Sequence, residues 1–389
     1  MIDLSFSGLG VICSLGGSWP ETWEALLAGR RGICDTKATL RYTQMSSSVS
    51  AVRELDRRLV EEQLIEGAAS RLACHACREA MQGYDPSLPI VVFGGSTHGE
   101  SDILFDLARR IGVRSTQLSP VRWRGLIEDS LAAQVIGLGD GGTWVYSSCT
   151  SSLHALILAA LELQDDASSF NQTLVVGVDA LSILGTEGFA RIGAASPNNC
   201  IPFHECRNGT LVGEGAAALL LRSSRIDNAE VPGRLAGFGM CCEALHHTRP
   251  GESGDSLASA IHQALSHAEA EPCDIVAVVL HGTGTQQNDA AELNALKQVF
   301  GKRIPPVTSI KGAIGHTMGA AGLFNALVGI QASVDRVLPP TWSDGSAIMS
   351  DIDLVVGEPR GLPSEGMVLV NSSGFGGNSV AAVFARQLH

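Results

Sequence analysis

No segment of this 389-residue chain approaches the roughly 18–20 uninterrupted apolar residues of a membrane span, which argues against a helical anchor. Its start, Met-Ile-Asp-Leu-Ser-Phe-Ser-Gly, lacks the basic residues and apolar centre of a signal peptide. Charged residues are only 17% of the chain, and the net charge of −13 disfavours nucleic acid or an anionic membrane as main partner. The ten cysteines lack the dense spacing of a disulfide scaffold, so reduced thiols and a cytoplasmic location are expected. Cys74-His-Ala-Cys77 has no second ligand pair at suitable spacing, and Cys241, Cys242, His246 and His247 read as a loop with incidental ligands. No metal is expected.

What the chain has is glycine, 44 residues of it, and 45% hydrophobic residues, the mix of a well-packed α/β enzyme with many tight turns. Strand patterns at Leu4–Cys13, Pro89–Gly95, Thr173–Ala180 and Gly213–Leu221 alternate with helical ones at Trp19–Leu27, Glu62–Met81, Ser101–Ile111 and Leu126–Ile136. Asp35–Asp56 shows no strong period and reads as loop or lid. After about Ser224 the rhythm restarts. Strands are expected near Val231–Met240, Asp274–His281 and Val307–Ser309, helices over Ser256–Glu269, Ala290–Phe300 and after His316. Met367–Asn371 and Ser379–Ala385 read as a closing strand pair. Two similar successions suggest an internal duplication in one body, although no residue-level repeat is visible.

The central stretch is Trp144–Leu163. Thr143–Tyr146 reads as a short buried strand, and Leu153, Leu156, Ile157, Ala160 and Leu161 recur at helical spacing. Cys149 therefore stands at the turn from strand to helix, where unpaired N–H groups and the helix dipole favour a thiolate and could hold an oxyanion. Ser148, Ser151 and Ser152 leave room for substrate atoms.

Three glycine-rich stretches carry further reactive groups. His281-Gly-Thr-Gly-Thr follows a buried strand, Lys311-Gly-Ala-Ile-Gly-His316 introduces a helix rich in small residues, and Asn371-Ser-Ser-Gly-Phe-Gly-Gly-Asn378 joins the closing strands. Ligands of α/β folds collect at such sheet-edge turns.

Together these stretches resemble the β-ketoacyl synthase family, the condensing enzymes of fatty-acid and polyketide assembly. The family pattern is a Cys after a strand, a His-Gly-Thr-Gly-Thr loop, a Lys five positions ahead of a His that follows Gly, and a Gly-Phe-Gly-Gly loop. They stand here in that order as Cys149, His281, Lys311 with His316, and Gly374–Gly377. Gly213-Glu-Gly-Ala216, Asp289 and Glu292 also match.

The resemblance implies a duplicated thiolase-like fold of five layers, α-β-α-β-α, with residues 1–224 carrying the Cys and 225–389 the two His. It implies a homodimer, or a heterodimer with a related ketosynthase or chain-length-factor subunit. It implies no cofactor, the substrates arriving on the phosphopantetheine of an acyl carrier protein. By the same likeness Cys149 accepts the acyl group, and the N–H groups of Cys149 and Phe375 form the oxyanion hole. His281 and His316 donate to the enolate oxygen of decarboxylated malonyl thioester. Lys311, paired with Glu292, orients His316; Asp289 braces the His281 loop; Phe375 gates the acyl pocket, with Phe189 on its wall.

Several positions depart from the family pattern: Ser148 where Ala is usual, His204 in place of the acid of Pro-Phe-Asp, Ser373 where Phe is common, and bulky Trp144 and Tyr146 before the nucleophile. They point away from housekeeping fatty-acid elongation towards a specialised polyketide or aryl-polyene pathway. A chain-length-factor-like partner without catalysis is the alternative, opposed by the intact Cys149, His281, Lys311 and His316. A thiolase needs a cysteine near the C-terminus, and the last here is Cys273. Arg109, Arg110, Arg114, Arg122 and Arg124 are a candidate docking patch for an acidic carrier.

Overall fold

The computed structural model describes residues 4–35, 48–52, 67–101, 142–223 and 233–386. Ten strands form its main sheet: β1 (Leu4–Cys13), β2 (Ile90–Gly95), β3 (Thr143–Val145), β4 (Gln172–Asp179), β5 (Gly215–Ser223), β6 (Gly233–Cys242), β7 (Ile275–Val279), β8 (Val307–Thr308), β9 (Met367–Gly374) and β10 (Asn378–Arg386). Their spatial order is 8-7-9-10-6-1-5-4-2-3. Read outward from the middle, the first five strands run 1-5-4-2-3 and the last five 6-10-9-7-8, the same order displaced by five. Directions repeat as well. The two innermost pairs of each set are antiparallel and the two outermost parallel. The sets meet through a single register pair, Ser5 with Arg234.

Strand alternation sends side chains to both faces, and here both faces are covered. Along β5, Ala217, Leu219 and Leu221 enter a central cluster, while Ala216, Ala218 and Leu220 face the helix α2 (Ala68–Ala80). Along β10, Val380, Ala382 and Phe384 enter the same central cluster, and Ala381, Val383 and Ala385 join an outer one with Leu257 and Ile261 of the helix Asp255–His267. The central layer is supplied by α1 (Trp19–Leu27), α3 (Ser151–Gln164) and the helix Ala321–Asp335. The outcome is five layers, α-β-α-β-α, as the family resemblance implies.

The helices show why they sit where they do. α3 and Ala321–Asp335 are apolar nearly all round, which suits a helix enclosed between the two five-strand halves of the sheet. They cross closely: a Cβ on Gly322 would lie 2.8 Å from Leu153 Cβ, so a larger residue there would force them apart. α1 starts at Ser18, whose side chain accepts from the N–H of Glu21, with Pro20 in the first turn.

One expectation needs correction. Thr143–Val145 is the last strand of the order and not a buried one. Thr143 is exposed, Trp144 and Val145 are half-buried, and among the described strands β3 pairs with β2 alone. The apolar letters reflect partial packing on both faces, Trp144 against the α2 cluster and Val145 against the central one. The expected helices 101–111 and 126–136 and the arginines between 109 and 124 lie almost wholly or wholly outside the described residues, as do the division at 224/225 and most of Asp35–Asp56. Among the described residues no helix is long and apolar enough to cross a membrane.

The fold brings the four motifs together for one reason. Cys149, His281, Lys311 and Phe375 each follow the C-terminal end of β3, β7, β8 or β9, and α/β sheets bind ligands outside those ends.

Candidate active site

Between β3 and α3 the chain makes one 3₁₀ turn, Ser148–Thr150. Ser148 sits at φ 56°, the left-handed region that a non-glycine residue enters at a cost. Neighbours hold it there: the Ser148 carbonyl accepts from Thr97 Oγ1 (3.0 Å) and Ser151 Oγ (2.6 Å), and Ser372 Oγ donates to the Cys149 carbonyl (3.1 Å). Cys149 is thereby presented at the floor of a cavity of about 670 Å³, which His281, His316, Phe189 and Phe375 also line.

His316 Nε2 lies 3.1 Å from Cys149 Sγ. The main-chain N–H of Met318 donates to His316 Nδ1 at 3.2 Å, so the neutral ring carries its proton on Nε2, facing the sulfur. The His281 ring stands at 84° to that of His316, with centroids 5.3 Å apart. Its backbone is fixed by Glu292 and Asn371. The His281 N–H is shared between Glu292 Oε1 (2.8 Å) and Asn371 Oδ1 (2.6 Å), and Gly282 N–H donates to Glu292 Oε2 (2.9 Å).

Lys311 is placed differently from the sequence reading. Its ammonium donates to the His281 carbonyl and lies 3.4 Å from His281 Nδ1, so the histidine it touches is His281, not His316. A lysine donor at Nδ1 leaves the His281 proton on Nε2, as in His316. Glu292 is likewise no direct partner of the ammonium; its two oxygens are taken up by main-chain N–H groups of the 281–282 turn. The two charges influence each other across the site without an ion pair. Asp289 accepts from the N–H groups of Thr283, Gly284 and Phe203 and is 3.5 Å from Arg207 Nε.

Phe375 stacks on Phe189 (centroids 5.4 Å, planes 18°), and Phe189 meets the His316 ring edge-on at 6.0 Å. Gly374 brings the closing turn against the nucleophile: a Cβ there would lie 3.3 Å from Cys149 N. Ser373, where Phe is common in the family, also lines the cavity. Ser148 keeps its hydroxyl 3.9 Å from Cys149 Sγ. His204, standing for an acid, is fully buried and contacts the Pro202 carbonyl (2.9 Å) and Ser343 Oγ (2.7 Å).

Burial governs the electrostatics. It pushes the Cys149 thiol up to about 11, opposed by the Ser148 hydroxyl and the charge of Lys311. The start of α3 contributes about 0.3–1 kcal/mol, ~2 in partly buried sites. That is at most about 1.5 pH units, too little to ionise the thiol at neutrality. Burial thus opposes the thiolate that the helix start favours, and on this balance the thiol form is preferred at neutrality. Burial, and then the Lys311 charge, hold His281 and His316 well below the ordinary imidazole range, so both rings are neutral. Burial brings Lys311 down to about 8 against the pull of Glu292, and raises Glu292 to about 7 with help from Asp289.

Two supports escaped the sequence reading. Asp179, at the end of β4 and fully buried, accepts from Ser96 Oγ (2.8 Å) and from the N–H groups of Thr97 (2.8 Å), His98 (2.9 Å) and Gly319 (2.6 Å). It ties the loop behind Ser148 to the turn that follows His316. Asn325 Nδ2 donates to the carbonyls of Leu280 (3.0 Å) and Asn371 (3.3 Å), locking the His281 strand end to β9. Polar residues within otherwise apolar runs were the available signal.

Comparison with known proteins shows the family. The model of the beta-ketoacyl synthase N-terminal domain matches residues 5–225, and that of the C-terminal domain residues 233–343. The chain is 28% identical to 3-oxoacyl-[acyl-carrier-protein] synthase 2 of Coxiella burnetii, covering 98% of this chain and 97% of the relative. It is 31% identical to putative polyketide beta-ketoacyl synthase 1 of Streptomyces cyaneus, covering 96% of each. It superposes on a chain of the ishigamide ketosynthase/chain length factor with a TM-score of 0.84 at 25% identity, covering 99% of both. With a family model matching more than half its length, and the thiolase-like layers already in place, the chain belongs to the beta-ketoacyl synthase family of condensing acyltransferases.

Proposed function

We propose that the chain performs decarboxylative condensation of a Cys149-bound acyl group with a malonyl thioester held on an acyl carrier protein. The observation that carries this reading is the convergence, in one cavity, of Cys149 with His281 and His316, whose Nδ1 atoms face Lys311 and the Met318 N–H and so leave Nε2 as the donor of a neutral ring.

In the first half-reaction Cys149 Sγ attacks the acyl thioester carbonyl. A C–S bond forms, the carrier C–S bond breaks, and the Cys149 proton ends on the departing carrier thiol. The N–H groups of Cys149 and Phe375 are assigned to the oxyanion, on turns that Gly374 keeps in contact. In the second, the malonyl C–C bond to the carboxylate breaks, carbon dioxide leaves, and the electron pair moves onto the thioester oxygen. Two neutral N–H donors suit that enolate, because they stabilise developing charge without having to ionise. The enolate carbon then attacks the acyl-Cys149 carbonyl, and the C–S bond breaks to return the thiol with a proton from solvent. Lys311 serves as a positioning residue that fixes the tautomer of His281.

Ser148, His204 and Ser373 favour a specialised polyketide or aryl-polyene pathway over fatty-acid elongation. A related subunit is proposed as a partner, because the ishigamide relative is solved as a ketosynthase/chain length factor. The test is reconstitution with acyl- and malonyl-carrier proteins, the chain alone and mixed with a related subunit. A carrier-bound β-ketoacyl product that disappears with His281→Ala supports the reading. No product in any combination would leave the non-catalytic partner role.

A further inference from the structure

Although the chain carries 40 acidic residues, no aspartate or glutamate among the described residues lines the catalytic cavity. The lining holds one permanent cation, Arg249. The other cations of the site are engaged and buried: Lys311 on His281, and Arg207 beside Asp289. Arg249 is exposed, and no carboxylate among the described residues pairs with it.

Its backbone is nevertheless fixed. The N–H groups of Thr248 and Arg249 both donate to His246 Nδ1 at 3.1 Å, and Gly251 N–H donates to Glu243 Oε1 at 2.6 Å. The strand end and loop from 243 to 250 are hydrogen-bonded to the turn that carries Phe375: Gly376 N–H donates to the His247 carbonyl (2.9 Å), and Glu243 N–H to the Gly377 carbonyl (3.1 Å). Arg249 thus stands exposed on a hydrogen-bonded loop, the one arginine or lysine among the described residues lining the cavity that also holds Cys149, His281 and His316.

We infer that Arg249 binds the phosphate ester at the outer end of the pantetheine arm. This rests on the condensing role proposed above, in which every substrate enters on such an arm. A rim cation suits that phosphate better than the malonyl carboxylate, which must reach the buried histidines. The guanidinium is suited to a phosphate because it offers two parallel N–H donors.

The phosphate ester is shared by the arms of carrier proteins and of coenzyme A, so the test uses both. Calorimetry would compare 4′-phosphopantetheine with pantetheine. Wild type should favour the phosphorylated compound by on the order of tenfold, and Arg249→Ala should erase that preference while leaving pantetheine affinity unchanged. A preference that persists in Arg249→Ala, or is absent in wild type, overturns the inference. In turnover, Arg249→Ala should raise KM alike for malonyl-carrier protein, malonyl-coenzyme A and acyl donors, with kcat held and Arg249→Lys partly restoring it. An effect confined to the carrier protein would mean a protein-surface contact, and one confined to malonyl donors a carboxylate contact; either overturns it. Selective binding without any condensation would sustain the Arg249 assignment and defeat the condensing role.

Discussion

His316 Nε2 faces Cys149 Sγ at 3.1 Å with its proton fixed in place, because the N–H of Met318 occupies the other ring nitrogen. The ring is therefore a donor to whatever negative charge develops at that point, sulfur first and thioester oxygen later.

The two histidines should separate in experiment. His316→Ala removes a donor at the sulfur as well as at the enolate, so it should slow both alkylation of Cys149 and malonyl decarboxylation. His281→Ala should spare alkylation and slow decarboxylation, each loss being about 10²–10³. Iodoacetamide kinetics and carbon dioxide release read the two steps separately. Equal effects of both variants on alkylation would refute the assignment.

Burial sets the sign of the pH dependence. With the Cys149 thiol pushed up to about 11, the thiolate fraction and the alkylation rate should climb with pH without a plateau before about pH 9. The Lys311 charge favours the thiolate, so Lys311→Met should move the profile further into alkali. A plateau below neutrality would show that the turn outweighs desolvation.

Asp179 offers a test of the scaffold. Removing its carboxylate leaves three main-chain N–H groups and one hydroxyl without their acceptor. At about 1–3 kcal/mol for a buried unsatisfied group, partly relieved by relaxation, Asp179→Ala should cost roughly 2–5 kcal/mol. Asp179→Asn, keeping one oxygen, should cost less. Denaturant midpoints compare the three proteins, and unchanged midpoints would remove Asp179 from the support of the site.

The stacked pair Phe375–Phe189 should set acyl selectivity. Phe189→Ala enlarges the cavity beside Cys149 and should shift acylation towards longer or bulkier groups, read by competition between carrier-bound acyl donors. An unchanged preference would place the selecting wall elsewhere.

Much of the site could be read from the chain because its reactive groups sit in local motifs. A strand followed by a small-residue turn marks Cys149, and glycine turns mark His281, His316 and Phe375. What hid was set by contacts between distant residues. Lys311 reaches back 30 positions to His281, and Asp179 binds loops 82 and 140 positions away; neither distance leaves a local pattern. The burial of β3 was misread because a strand whose Trp144 and Val145 are only half-buried carries the same apolar letters as a fully buried one. The opposing effect of burial on the Cys149 thiol was not legible, because a helix start is visible in sequence, whereas the depth of burial is not.

The most direct measurement is the intact mass of the protein after incubation with a panel of acyl-carrier proteins, followed by addition of malonyl-carrier protein, with Cys149→Ala as control. The expected result is one acyl adduct, mapped to Cys149, absent in the variant and discharged as a carrier-bound β-ketoacyl product. An adduct that persists in Cys149→Ala, or no adduct from any donor with or without a related subunit, would contradict the assignment of Cys149 as the acyl-accepting nucleophile.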